Sequence, residues 1–258
     1  MKPLSIDRIH DILYDILCDV DDFCRREGIR YCIGYGTLLG AVRYGNFIPW
    51  DDDVDIVMPR KDFDRFVKTY RGKYECILNT RRKDVFYVSG YAKVHDCTTS
   101  KFIGRENQYF SRYGVSVDIF PYDPVPDGDM ACEAHMKKAG HYHRRLRYCS
   151  SRTGSPLILL QSRLHSMDWW LRKCDKVARS FREEDCGRIG VLMGPESARD
   201  IQSKDFFSRL KEIKLRDRMF PCPGNVDAYL TQRYGPDYIV PPPEKERTGH
   251  GCKVYQIS

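Results

Sequence analysis

The run Trp50-Asp51-Asp52-Asp53-Val54-Asp55-Ile56-Val57-Met58 constrains this chain more than any other stretch. Val54, Ile56 and Val57 read as a buried strand, and a strand sends alternate side chains to opposite faces. Asp51, Asp53 and Asp55 stand two apart, so in an extended segment all three project to one face. Neighbouring carboxylates repel one another unless a cation lies between them, and an acid inside a buried strand is costly without a partner. The run therefore reads as a cation site and not as a solvated acidic turn. Oxygen-only ligands at this density suit magnesium or manganese. An ion held this way usually bridges substrate phosphates and stabilises charge on the transferring group.

Two flanking segments fit that reading. Gly34-Tyr35-Gly36-Thr37 ends a strand expected over 29–36, where Ile29, Tyr31, Ile33 and Tyr35 alternate, and opens a helix through Tyr44. Glycines let the backbone approach a ligand, and helix N–H groups with the Thr37 hydroxyl can then hold a phosphate. In Val115-Ser116-Val117-Asp118-Ile119-Phe120 one carboxylate again faces away from the apolar side, where it can complete a metal site with Asp53 and Asp55. Lys93 and His95 alternate on another apolar run. Lys93 is a phosphate-contact candidate; His95 is either a packed histidine or a pH-dependent phosphate contact. Arg43 and Arg60 flank the acidic loop and can pair with its carboxylates or with a diphosphate.

The rest of the chain bounds the class. Its 258 residues suffice for a real core and one or two domains. Eleven cysteines, an odd number with no Cys-x-x-Cys pair, argue against a disulfide framework or zinc ribbon and for reduced thiols in a cytoplasmic protein. No apolar stretch approaches a membrane span, and the N-terminus lacks a signal-peptide core. The net charge of +7 favours anionic partners without choosing among them, and no nucleic-acid-binding module is visible.

Ile6, Ile9, Leu13, Ile16, Val20 and Phe23 predict a helix over 5–27 ending at Gly28. Residues 60–70 read as helix, and three apolar stretches follow: 74–78, 85–94 and 115–120. The pattern changes near Pro121, with Pro124, Pro126 and Gly128 marking a linker. From 130 to about 182 it is helical, with Leu157, Leu160, Leu164, Met167, Leu171, Cys174, Ala178 and Phe181 as one apolar stripe. Twelve Lys/Arg against five Asp/Glu lie between Asp127 and Arg182. This face is either simply solvated or rests on an anionic membrane surface, peripheral at its inner face. A last helix runs from near Asn225 to Gly235, and the tail beyond Pro243, with His250, is expected to be disordered.

Taken together, GYGTLLGAVRYGNFIPWDDDVDIVMPRKDFDRF at Gly34–Phe66, KVHDCTT at Lys93–Thr99, VDIFPYD at Val117–Asp123 and AYLTQRYGPDY at Ala228–Tyr238 resemble the LicD family of phosphotransferases. The resemblance spans most of the chain and is weakest over 127–200. It implies an α+β fold: a nucleotidyltransferase-like mixed β-sheet core with flanking helices and a helical insertion. The expected division is a catalytic core at 1–125, a basic helical subdomain at 126–200 and a segment at 201–258 closing the cleft.

By that resemblance Gly36-Thr37 is the phosphate turn, with Arg43 and Lys93 as further donor contacts. Asp53 and Asp55 hold Mg2+ or Mn2+, and Asp118 is the third carboxylate. Asp51 either ligates a second ion or orients the loop through Trp50. Where the family is expected to carry an arginine, this chain has His95. Family members typically move a phospho-alcohol such as phosphocholine from a CDP-alcohol donor to a glycan or lipid-linked glycan, and the fukutin group moves ribitol phosphate. The alternatives are a glycerol-phosphate transferase, a true nucleotidyltransferase, or an inactive glycan- or nucleotide-binding protein. Tyr87, Tyr91, Tyr109, Phe110, Tyr113, Tyr234 and Tyr238 are the aromatics available to stack on cytosine or surround a choline head.

Overall fold

The computed structural model describes residues 2–103, 113–151, 160, 164–192, 198–249 and 253–257. Helix α1 (Ile6–Glu27) forms where the spacing predicts. Ser5 Oγ accepts the Arg8 N–H at 3.3 Å, and Gly28 ends the helix in the left-handed region at φ 62°. Its apolar stripe lies against a mixed sheet ordered β1 (Cys32–Ile33), β2 (Val54–Pro59), β8 (Ser116–Val125), β6 (Ala92–His95) and β3 (Glu75–Ile77). Strands β2 and β8 run parallel, and the other pairs are antiparallel. Helix α2 (Tyr35–Tyr44) links β1 to the acidic loop, and α3 (Arg60–Thr69) follows β2 directly. The fold is α+β, as expected.

The alternation of the strands sets up the site. Val54, Ile56, Met58, Ala92, Val94, Val117 and Ile119 join α1 and α3 in the main core. The opposite face of the same strands carries Asp55, Lys93 and Asp118, followed by Val57, Phe120 and Tyr122 in a smaller aromatic cluster. Shorter elements complete the chain: β4 (Thr80–Arg81) with β5 (Phe86–Tyr87), the hairpin β11 (Lys211–Leu215) with β12 (Arg218–Cys222), and β9 (Arg188–Gly190), which joins β8 to β10 (Gln202–Ser203).

Several expectations need correction. The strand over 29–36 shrinks to Cys32–Ile33, because Tyr35 adopts φ 46° and starts α2, a backbone turn no strand continues through. The sheet does not end at Pro121: β8 passes through Pro121 and Pro124, and the turn comes at 126–128. Among the described residues, the long helical pattern includes α4 (Asp129–Ser151) and α5 (Met167–Ala178), the latter capped by Ser166. The expected stripe holds within α5, where Cys174 and Ala178 are buried and Met167 and Leu171 pack against the same cluster, and breaks before it. Trp170, Cys174, Val177 and Ala178 are the buried residues of α5, packed with Cys132, Met136, Ala139 and Leu146 of α4, whereas Leu160 and Leu164 are exposed. The fresh start at Met167 resets the helical phase; Leu157 lies outside the described residues.

The tail is ordered at its end. Strand β13 (Lys253–Gln256) pairs with β7 (Ser100–Ile103), and Tyr255 bridges to Pro3, so main-chain bonding overcomes the entropy expected to free it. Helix α6 (Val226–Tyr234) runs from its Asn225 cap to Gly235, as predicted. All ten cysteines among the described residues are free thiols. No described helix is long and apolar enough to cross a membrane.

Candidate active site

Strand register, not sequence proximity, assembles the site. Asp55 on β2 stands opposite Asp118 on β8, and Asp118 stands opposite Lys93 on β6. The three side chains form a row on one face, with adjacent strands about 4.8 Å apart. The Lys93 ammonium bonds directly to the Asp118 carboxylate. It also sits 5.5 Å from the centre of the Tyr91 ring and 6.0 Å from that of Tyr87. Tyr113 completes this aromatic shelf, its hydroxyl 3.0 Å from Ser116 Oγ. Tyr109 and Phe110 lie outside the described residues.

The turn before α2 is stitched onto this row. Gly34 N–H donates to the Asp55 carbonyl at 3.1 Å, and Asp55 N–H donates to Thr37 Oγ1 at 2.8 Å. Thr37 is thus buried inside the first helical turn, fixing the start of β2 while its hydroxyl proton remains able to donate. The acidic loop is held from the other side, where the His10 ring Nε2 donates to the Asp51 carbonyl at 2.7 Å. Two glycines allow the close approach. A Cβ on Gly40 would stand 2.7 Å from the Asn46 carbonyl oxygen, so only glycine lets the loop fold back along α2. A Cβ on Gly36 would stand 2.7 Å from Asp51 Oδ2. Gly36→Ala must therefore displace that carboxylate. Activity is expected to fall by about tenfold to a hundredfold, the scale for an ångström of misplacement, with the urea midpoint little changed. Loss of the midpoint instead would assign Gly36 to folding.

The electrostatics are those of crowded acids. Burial, then Asp53, Asp118 and Asp51, push the Asp55 carboxyl well above the usual range, with only Lys93 pulling it down. Burial opposes the charge on Lys93 most strongly of any single cause, but Asp118, Tyr113 and Tyr91 together outweigh it and push the ammonium pKa well above its usual value. The donor chemistry, carboxylate oxygens whose repulsion a divalent ion would relieve, fits Mg2+ or Mn2+. Among the described residues no three His, Cys, Asp or Glu side chains already stand in ligand geometry, and Lys93 supplies the positive charge at Asp118.

The other candidates separate. Arg43 bonds through Nε to the Tyr238 carbonyl at 2.6 Å and through Nη2 to that of Val240 at 2.9 Å, so it straps the segment after α6 and does not join the carboxylates. Arg60 makes a two-pronged pair with the buried Asp123 at 2.6 and 2.7 Å, a structural pair and not a diphosphate contact. His95 is fully buried, 3.6 Å from Glu75 and tilted against Tyr113, and burial pushes its pKa down; it is a packed neutral ring. His250 lies outside the described residues. Sequence reasoning missed Asp200, Tyr229 and Arg233, which close around Tyr35. Only the segment Ala228–Tyr238, matched as a block, signalled two of them.

Over 264 aligned residues, 97% of each chain, the protein is 29% identical to the lipopolysaccharide cholinephosphotransferase LicD of Haemophilus influenzae. A 29-residue stretch is 59% identical to the ribitol 5-phosphate transferase FKRP of Homo sapiens and of Mus musculus, covering 11% of this chain and 6% of each of those. Residues 28–161 match the family described as LicD/FKTN/FKRP, nucleotidyltransferase domain. That span contains the turn at Gly36, the acidic loop and the three strands bearing Asp55, Lys93 and Asp118, so by the very segment that builds the site this chain belongs to the LicD/FKTN/FKRP family.

Proposed function

We propose that this protein is a divalent-metal-dependent enzyme that transfers a phospho-alcohol, phosphocholine first among them, from a CDP-alcohol to a hydroxyl of a glycan. The observation that carries the reading is the row Asp55–Asp118–Lys93 facing the turn at Gly36-Thr37. The full-length likeness to a lipopolysaccharide cholinephosphotransferase supports the phosphocholine choice. The local likeness to a ribitol 5-phosphate transferase keeps ribitol phosphate as the second reading.

In this reading Asp53, Asp55, Asp118 and Asp51 would hold Mg2+ or Mn2+, and the ion would supply charge neutralisation for a diphosphate. The amides opening α2 and the Thr37 hydroxyl bind a phosphate oxygen. Lys93 lies next to Asp118, where it can meet the diphosphate. The acceptor oxygen attacks the phosphorus bearing the alcohol, the bond to the CMP oxygen breaks, and a carboxylate, Asp55 or Asp118, takes the hydroxyl proton. Lys137, Lys138, Arg144, Arg147, Arg172 and Lys176 are all exposed on the helical subdomain and suit an acceptor presented at an anionic lipid surface.

The test is CMP release from CDP-choline, CDP-ribitol and CDP-glycerol, each with Mg2+ and with EDTA. Slow, EDTA-sensitive hydrolysis of one donor is expected and names the alcohol. No CMP from any donor, together with no thermal shift by cytidine nucleotides, overturns the reading. Release of pyrophosphate from a nucleoside triphosphate would establish a true nucleotidyltransferase.

A further inference from the structure

Tyr35 occupies the left-handed region at φ 46°, where only glycine sits without strain, and a strained residue persists only where its surroundings hold it. Here the restraints come from far along the chain. The Tyr229 hydroxyl on α6 accepts the Tyr35 N–H at 3.3 Å. The Tyr35 ring meets Phe120 edge-on at 5.8 Å, and the Arg233 guanidinium lies 4.9 Å from the ring centre. Arg233 is itself fixed by Asp200, Nη1 to Oδ1 at 2.9 Å, and Asp200 is only 2% exposed. Gln232, next to Arg233, donates to the carbonyls of Arg199 and Ile201 at 3.0 and 2.7 Å, tying the Asp200 segment to the end of α6.

Beyond Tyr35 the chain goes straight into the site. Gly36 stands against Asp51, and Thr37 accepts the Asp55 N–H. We propose that Asp200 and Arg233 are positioning residues: through Tyr35 they lock the strained turn and thereby fix where Asp51 and Asp55 stand relative to the helix N–H groups. The pair acts through Tyr35: Arg233 lies over its ring and Asp200 fixes Arg233. This role concerns the geometry of the turn and holds whichever donor the site uses.

Amide hydrogen exchange on the full chain without ligand tests it directly. Arg233→Met is expected to speed exchange at residues 35–38 by about tenfold, leaving the β11–β12 hairpin and the centre of α1 unchanged. Arg233→Lys, which keeps the charge, should restore most of the protection. Asp200→Asn, nearly isosteric, should show the same local signature more weakly and serves if Arg233→Met does not fold. With a donor that releases CMP, Arg233→Met should lower kcat about tenfold and move KM less than twofold. Unchanged exchange at 35–38, or faster exchange spread evenly over the molecule, would overturn the proposal. If the wild-type chain releases no CMP from any donor, the proposed function falls, and the exchange pattern alone decides the positioning role.

Discussion

Asp55→Asn is expected to cut CMP release by about 10³-fold or more, the scale for removing one electrostatic contact to a transition state, while raising the urea midpoint. The two effects have one cause. Burial and the charges of Asp53, Asp118 and Asp51 push the Asp55 carboxyl well above the usual range, so its ionised form weakens the fold at neutral pH. Asparagine keeps the shape and leaves the Asp55 backbone N–H on Thr37 in place, but removes the repulsion. Asp118→Asn should lose activity too, yet its midpoint should fall, because the buried Lys93 ammonium then loses its carboxylate. The measurement is urea unfolding at pH 7 without divalent ions, beside the CMP assay. A lower midpoint for Asp55→Asn would sink the account of this site as stability given up for chemistry.

Arg60→Met should cost about 3–5 kcal/mol of stability at pH 7, the range for breaking one partner out of a buried ion pair. Asp123 is completely buried and held by two short bonds from the Arg60 guanidinium. Burial already pushes its carboxyl above the ordinary value, with Arg60 pulling against that. Without Arg60 the folded pKa rises further above the unfolded one. A carboxyl of that kind leaves its contribution intact at low pH and loses it as pH climbs through the folded pKa. The deficit of Arg60→Met should therefore be largest at neutral pH and shrink toward pH 4, where Asp123 takes up a proton. Denaturant midpoints at several pH values decide it. A deficit that does not change with pH would mean lost packing against Phe63, over whose ring the guanidinium lies at 5.1 Å.

Local rules carried far along this chain, and their failures have nameable causes. Helix α1 is readable because amphipathic spacing and its Gly28 cap act within a few positions, and the bounds of α6 because Asn225 and Gly235 mark them locally. The strand expected over 29–36 failed because alternation cannot show that Tyr35 will be bent left-handed by contacts from residues 120, 229 and 233. The stripe holds from Met167 to Ala178 but Leu160 and Leu164 are exposed, because helical phase does not carry across a new start at Met167. Arg43 and Arg60 looked alike beside the acidic loop; one ended on backbone carbonyls of the closing segment and the other on a buried aspartate.

The sequence alone determined that Asp55 faces away from Val54 and Ile56, that a glycine turn precedes it, and that Asp118 and Lys93 each project from an apolar strand. Strand and turn geometry is local, and residues two apart settle it. Only the tertiary structure decided that Asp118 stands beside Asp55, that Lys93 is its counter-ion, and that Asp200 and Arg233 stand behind Tyr35. Register between strands more than sixty residues apart is fixed by burial of the whole apolar face against α1 and α3, since a one-residue slip would turn that face to water. No short segment contains that information.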